Sequence, residues 1–163
     1  MSFAGPTVSA KPVIQAWQST YNDVKLHAVD ILGDGRVVVG IRTVPGNGGF
    51  HTEVAIENLN SHQSIKSLEI GFCGGEVSNA GFKDVDYHAE DFSDADWMAT
   101  INGSVIEWST ETFEANENAN ALRWGTLYSY WCDSEREPAF LNLGLFRPGE
   151  VTEVSVEIEL PEI

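Results

Sequence analysis

The feature that most constrains the fold of this chain is a repeated alternation of apolar and polar residues with a period of two. It is clearest near the C-terminus, where Val154, Val156, Ile158 and Leu160 alternate with Glu153, Ser155, Glu157 and Glu159. Successive side chains of a β-strand point to opposite faces, so this segment predicts a strand with one dry face and one acidic, wet face. The sequence has no sustained apolar stripe at helical spacing. An all-β fold is therefore expected.

Turn residues divide the alternating segments into short strands. Alternating leucines at 141–145 and the Arg-Pro-Gly-Glu turn at 147–150 lead into the last strand and predict a hairpin. A second hairpin is predicted around the turn Gly33-Asp34-Gly35. The predicted strands lie near 24–32, 37–44, 50–56, 68–72, 77–87, 104–110, 122–132, 141–145 and 154–160. Eight or nine short strands with frequent turns indicate one domain, residues 1–163, folded as an antiparallel β-sandwich of immunoglobulin-like or jelly-roll type.

The net charge of the chain disfavours some classes of binding partner. Nine basic and 25 acidic residues give a formal net charge of -16, which opposes binding to nucleic-acid phosphates and to anionic lipid. The imbalance lies entirely after residue 66, where four basic residues stand against 20 acidic ones, again a net -16. No apolar run of about 18 residues is present, so membrane insertion is not expected.

The two cysteines and the N-terminal segment bear on the cellular compartment. The first sixteen residues lack a basic start followed by an apolar block, so they show no signal peptide. Cys73 and Cys132 both lie in strand-like segments. They are either a disulfide pair, in an oxidising compartment, or two buried, inert thiols.

An acidic segment at 84–96 holds the candidate metal ligands. Ca²⁺ binds several carboxylate and carbonyl oxygens, so a loop rich in aspartates could fold around this ion. The candidate ligands are Asp84, Asp86, Asp91, Asp94 and Asp96. The spacing differs from that of an EF-hand loop, and a solvated acidic loop is the alternative interpretation.

Aromatic residues concentrate in the same half of the chain. The candidate ligand-binding residues are Trp97, Trp108, Tyr130 and Trp131. On an exposed sheet face such rings would stack on sugars, with neighbouring acids and amides binding the hydroxyls. The alternative is that they form the core, because a small sandwich needs large core residues.

Several motifs resemble a known family. These are GFKDVDYH at 81–88, DW at 96–97, WSTETF at 108–113 and NANALRWGTLY at 118–128. In this order they resemble secreted bacterial β-rich domains of planctomycete type, to which no function is assigned, over about residues 50–145. The resemblance implies an exported β-rich domain and transfers no catalytic or binding residues. The chain departs from the family in showing no signal peptide and in having Trp131-Cys132 where an apolar or aromatic residue followed by an Asp-rich sequence is usual.

Three functional hypotheses follow. The first is a non-catalytic extracellular module that binds carbohydrate or a cell-surface partner, with Ca²⁺ as a candidate stabilising ion. The second is a structural protein that self-associates through sheet edges into a surface layer or fibre. The third is an enzyme that acts on polysaccharide with a pair of carboxylates. The residues contain no Gly-x-Ser-x-Gly element that would favour nucleophilic catalysis.

Overall fold

The computed structural model describes residues 11–46, 48–86 and 91–158, which form one short helix and ten strands. In chain order they are α1 (Gln15–Thr20), β1 (Lys25–Asp30), β2 (Arg36–Gly46), β3 (Gly49–Asn58), β4 (Ile65–Phe72), β5 (Val77–Lys83), β6 (Met98–Asn102), β7 (Val105–Ser109), β8 (Leu127–Ser134), β9 (Pro138–Leu145) and β10 (Glu153–Val156). Each predicted strand has an observed counterpart, whereas α1 and β6 have none in the sequence prediction. Residues 87 and 159–160, included in the predicted strands, lie outside the described part of the chain.

The strands form two antiparallel five-stranded sheets. The first sheet has the order β1-β2-β3-β8-β5, and the second has the order β10-β9-β4-β7-β6. The predicted antiparallel all-β sandwich is thus confirmed. Both predicted hairpins are present, because β1 pairs with β2 and β10 pairs with β9.

The core lies between the two sheets and follows the predicted alternation. Val37 and Val39 of the first sheet and Leu141 and Leu143 of the second are fully buried. The leucines at 141–145 all face inward, and the intervening Asn142 lies outside the core. Each sheet therefore buries one face against the other.

The structure also shows the state of the two cysteines and the length of the helix. Cys73 is exposed and Cys132 is buried, and both are free thiols, so they do not form a disulfide. The described helix, α1, has only six residues, and none of the described helices is long and apolar enough to span a membrane.

Candidate functional site

Polar and aromatic side chains line the outer face of the first sheet, which we define by His51, Glu53, Trp131 and Asp133. In the register of β3 and β8, His51 lies opposite Asp133 and Glu53 lies opposite Trp131. Thr52, between His51 and Glu53, is fully buried on the core side. Because side chains alternate along a strand, the four named side chains point away from the core.

The N-terminal segment covers one part of this outer face. Ile14 is buried against Val38 and Ala55 of the first sheet. The Glu57 carboxylate accepts hydrogen bonds from the backbone amides of Val13, at 3.0 Å, and Ile14, at 2.8 Å. A carboxylate of the sheet therefore binds the first free amides of the helical segment, where an anion is electrostatically favoured.

A groove of about 320 Å³ lies on the outer face beside the N-terminal segment. Trp17, Leu127 and Trp131 contribute apolar surface to it, and Glu53 and Ser129 contribute polar groups. Its volume falls at the lower end of the range of roughly 300–1,000 Å³ that is usual for small-molecule sites. The groove thus combines aromatic walls with a small number of polar groups.

The position of Trp131 depends on a glycine in the neighbouring strand. Gly81 of β5 lies opposite Trp131 in the strand register. A Cβ atom at Gly81 would overlap the indole ring of Trp131, so only glycine leaves space for the ring there. The indole is half-buried on the backbone of β5 and also lines the groove.

Next to Trp131, a chain of hydrogen bonds crosses three strands. His51 Nδ1 and Asp133 Oδ1 are 2.6 Å apart, and Asn79 Nδ2 donates to Asp133 Oδ2 at 2.8 Å. Asn79 has a φ of 51°, in the left-handed region, within the register irregularity of β5 between Ser78 and Gly81. Such bulges redirect side chains, and this one brings the Asn79 amide to Asp133.

These hydrogen bonds favour the ionised form of Asp133 and define which atom of His51 is the donor. The hydrogen bonds from His51 and Asn79 lower the pKa of Asp133 from its ordinary value. An ionised carboxylate can only accept, so Nδ1 of His51 is the donor. In the neutral imidazole, Nε2 is then an acceptor.

Arg42 links Glu53 to Asp23 through hydrogen bonds. Its guanidinium makes hydrogen bonds to both Asp23 carboxylate oxygens at 3.0 Å and to Glu53 Oε2 at 3.2 Å. It also lies 4.5 Å from the centre of the Tyr21 ring. The Arg42 hydrogen bond lowers the pKa of Asp23. The cation is thus matched by carboxylates of the protein itself.

Three of the four predicted ligand-binding aromatics are core residues. Trp97 is 3% exposed, Trp108 is 0% exposed and Tyr130 is 1% exposed; Trp108 and Tyr130 face inward from β7 and β8, and Trp97 lies just before β6. Trp97 stacks on Phe82, with ring centres 5.7 Å apart, and donates its indole N–H to the Asn120 carbonyl. The expectation that these three rings offer a surface for stacking is therefore corrected. Of the four predicted ligand-binding aromatics, only Trp131 lies on the outer face.

The predicted calcium ligands do not converge. Asp84 is buried and accepts a hydrogen bond from Asn120 Nδ2 at 2.5 Å. The other four are exposed: Asp86, Asp91, Asp94 and Asp96. Within residues 11–46, 48–86 and 91–158, no three acidic, histidine or cysteine side chains form a group that could hold a metal ion. The prediction that these five carboxylates form one calcium site is therefore corrected. Residues 87–90 of the predicted loop lie outside the described residues.

The polar partners of Trp131 were not predicted from the sequence. His51 and Asp133 are 82 positions apart, so only the pairing of β3 with β8 brings them together. The available signal was the alternation itself, which places His51 and Glu53 on the face opposite to the apolar residues of their strand; for Trp131 it shows only that the ring faces away from Tyr130. Trp124, 73% exposed, is a further surface aromatic that precedes β8 and does not line the groove.

Comparisons with protein-family models, curated proteins and solved structures find no match to this chain. The resemblance to secreted bacterial β-rich domains accordingly stays a prediction, and the function is argued from the site.

Proposed function

We propose that the protein is a non-catalytic, exported module that binds glycan in the groove of the outer face. The observation that carries the proposal is the placement of Trp131. Its indole lines the groove and lies directly across the strand from the Glu53 carboxylate. An aromatic ring next to fixed polar groups is the arrangement that a sugar requires, since one face of the sugar ring is apolar and its edge carries hydroxyls.

The polar groups near Trp131 complement sugar hydroxyls. Glu53 and the His51 Nε2 atom can accept hydrogen bonds, and the Ser129 hydroxyl can donate or accept. Asp133 is hydrogen-bonded to His51 on one side and to Asn79 on the other, which restrains the imidazole before any ligand arrives. Binding to such a preorganised site costs little side-chain entropy.

The charge of the outer face favours neutral or amino-bearing glycans over uronic acids. Near the groove, Asp23, Glu53, Glu57 and Asp133 contribute four carboxylates, whereas Arg42, which is already paired, and Lys83, opposite Ser129, contribute two cations. The whole chain adds a net charge of -16. An anionic sugar would therefore be repelled both in the groove and on approach.

Asp133 is not suited to be the acid of glycoside cleavage. Cleavage requires a carboxylic acid that keeps its proton near neutral pH, which means a raised pKa. The pKa of Asp133 is lowered by its hydrogen bonds to His51 and Asn79, which is the opposite direction. Asp133 therefore acts as an anion that orients His51.

The test compares two tryptophan variants on an array of neutral, amino-bearing and uronic-acid glycans. Trp131→Ala is expected to weaken retention of the bound glycan class by at least about tenfold, equivalent to about 1.4 kcal/mol. Trp124→Ala is the matched control, because Trp124 is exposed but does not line the groove, and it should retain wild-type binding.

Circular dichroism of each variant separates loss of the site from loss of the fold. If Trp131→Ala unfolds, Glu53→Gln on the same groove replaces it, with the same expected loss. Failure of the wild-type protein to bind any glycan of the array would overturn the proposal. Unchanged retention by a folded Trp131→Ala protein would do so too.

A further inference from the structure

Edge strands usually carry features that prevent pairing with other chains, and three of the four edge strands here have them. β1 carries Lys25 and Asp30, β5 is interrupted by its register irregularity and ends in Lys83, and β10 has four residues beginning with Glu153. β6, at the edge of the second sheet, has the sequence MATIN. It contains neither charge nor proline and pairs with β7 in an uninterrupted register.

The side chains of β6 are exposed to solvent, although two of them lie on the core-facing side of the second sheet. All five residues are exposed. Ala99 and Ile101 pair with the buried Trp108 and Ile106, so they face the inner side of the sandwich at its rim. Ile101 is 46% exposed. The apolar inner face of the second sheet thus continues to an uncovered edge.

The turn between β6 and β7 defines which backbone groups lie at this edge. Gly103 has a φ of 62° as the first residue of a two-residue turn, as in a type II′ hairpin. In such a hairpin Asn102 and Val105 form a hydrogen-bonded pair, and hydrogen-bonded pairs then alternate along the strand. The N–H and C=O groups of Ala99 and Ile101 therefore point away from β7 towards the free edge.

We propose that β6 binds β6 of a second copy of this chain in an antiparallel pair centred on Thr100. In this register Ala99 of one copy lies opposite Ile101 of the other, and the reverse pair follows by symmetry. The outward backbone groups of both pairs then form four hydrogen bonds. Thr100 lies opposite Thr100 of the second copy, which is a favourable cross-strand pair.

Charge supports a second copy as the occupant despite the net charge of -16. β6 is neutral, so the contact itself brings no carboxylates together. The nearest outward charge on the neighbouring strand is Glu107, paired with Thr100. Two copies of Glu107 would lie three strand spacings apart, about 14 Å, which exceeds the Debye length of about 8 Å at physiological ionic strength. A basic peptide, by contrast, would find no charge on this strand to pair with.

The symmetry of the contact limits the size of the assembly. Each copy uses its one β6 edge, so the contact is isologous and closes after two copies. The product is a dimer with a continuous ten-stranded sheet, not a fibre. Because paired five-residue strands bury less surface than the roughly 1,600 Å² of a standard interface, the dimer should form only at high protein concentration.

Analytical ultracentrifugation of the full chain from micromolar to about millimolar concentration, in about 0.05 M and 0.5 M NaCl, tests the proposal. The wild type should dimerise, and more strongly in high salt because the net charges are screened. Ala99→Pro removes one edge N–H per copy, and Ile101→Lys places a cation at the centre of the contact. Each should weaken dimerisation at least about tenfold.

Leu32→Lys is the matched control, since Leu32 is 72% exposed in the β1–β2 turn and gains the same charge. It should dimerise as the wild type does. If Ala99→Pro fails to fold, Ile101→Lys changes only an exposed side chain and keeps the test. A wild-type protein that stays monomeric at both salt concentrations would overturn the proposal. Equal dimerisation of wild type and Ile101→Lys would likewise refute it.

Discussion

Removal of one hydroxyl from each of two neighbouring buried tyrosines should have unequal effects on stability. Tyr128 is 0% exposed and Tyr130 is 1% exposed, and both point into the core from β8. The Tyr128 hydroxyl donates to Asn120 Oδ1 at 2.6 Å. The buried Tyr130 hydroxyl has no hydrogen-bond partner among the described residues. Tyr128→Phe and Tyr130→Phe therefore delete the same atom in two different hydrogen-bonding environments.

The magnitudes follow from the cost of burying a polar group without a partner. Tyr128→Phe leaves the buried Asn120 Oδ1 atom unpaired, which should cost about 1–3 kcal/mol of unfolding free energy. For a domain of this size that corresponds to a fall in Tm of about 2–12 °C. Tyr130→Phe removes a hydroxyl that is already buried without a hydrogen-bond partner among the described residues, so stability should stay unchanged or rise by about 1 kcal/mol. The two variants should then differ by about 2 kcal/mol.

Urea unfolding at neutral pH, monitored by far-ultraviolet circular dichroism, measures this difference. Tryptophan fluorescence is less suitable, because Trp97 and Trp108 lie against these tyrosine rings. A shift in midpoint with an unchanged slope reports stability. If Tyr130→Phe is destabilised as much as Tyr128→Phe, the reasoning is refuted, because the Tyr130 hydroxyl must then have a hydrogen-bond partner.

Three further predictions concern the anchor, the groove and the core. Glu57→Ala should expose the amides at the start of α1, seen as faster hydrogen exchange there and a loss of about 1–3 kcal/mol in stability; unchanged exchange would contradict the anchoring role. Gly81→Ala should displace the Trp131 indole, reduce glycan retention and cost about 1–3 kcal/mol in urea unfolding, whereas wild-type retention and stability would show that the indole has space to spare. Burial raises the pKa of Cys132 to about 12, so the thiol ionises first in the unfolded chain. The contribution of this raised pKa to stability is present below about pH 9 and is lost as pH rises towards 12. Cys132→Ala should remove about 1 kcal/mol of the decline in unfolding free energy between pH 8 and 10. An equal decline in both proteins would refute this.

Much of the fold could be predicted because alternation is a local property. The leucines at 141–145 and the hairpin signals at 33–35 and 147–150 have the predicted structural roles. The strand β6 was missed because, over only five residues, Ala99 and Ile101 give too short an apolar alternation to indicate a strand. The helix α1 was missed because it is one and a half turns long, and its segment is held by Glu57 and Ile14 rather than by a helical apolar stripe.

The site was less predictable, because its residues come from separate strands. Alternation shows that Trp131 and Tyr130 face opposite sides of β8, but does not show which side is the core. The outcome depends on whether each ring meets the second sheet, and Tyr130 does so through Trp108 while Trp131 lies on Gly81. Likewise, Asp84 became a buried acceptor for Asn120, a residue 36 positions away, rather than a metal ligand.

The alternation along the chain was enough to predict an antiparallel sandwich, because a two-residue period buries one face of each strand whatever the order of the strands. Which carboxylates and aromatics meet depends on how the strands pair. The register of β3 against β8 brings His51 to Asp133 and Glu53 to Trp131, and sheet order leaves β6 at an open edge. Register and order depend on contacts between residues far apart in the chain, which no local pattern encodes.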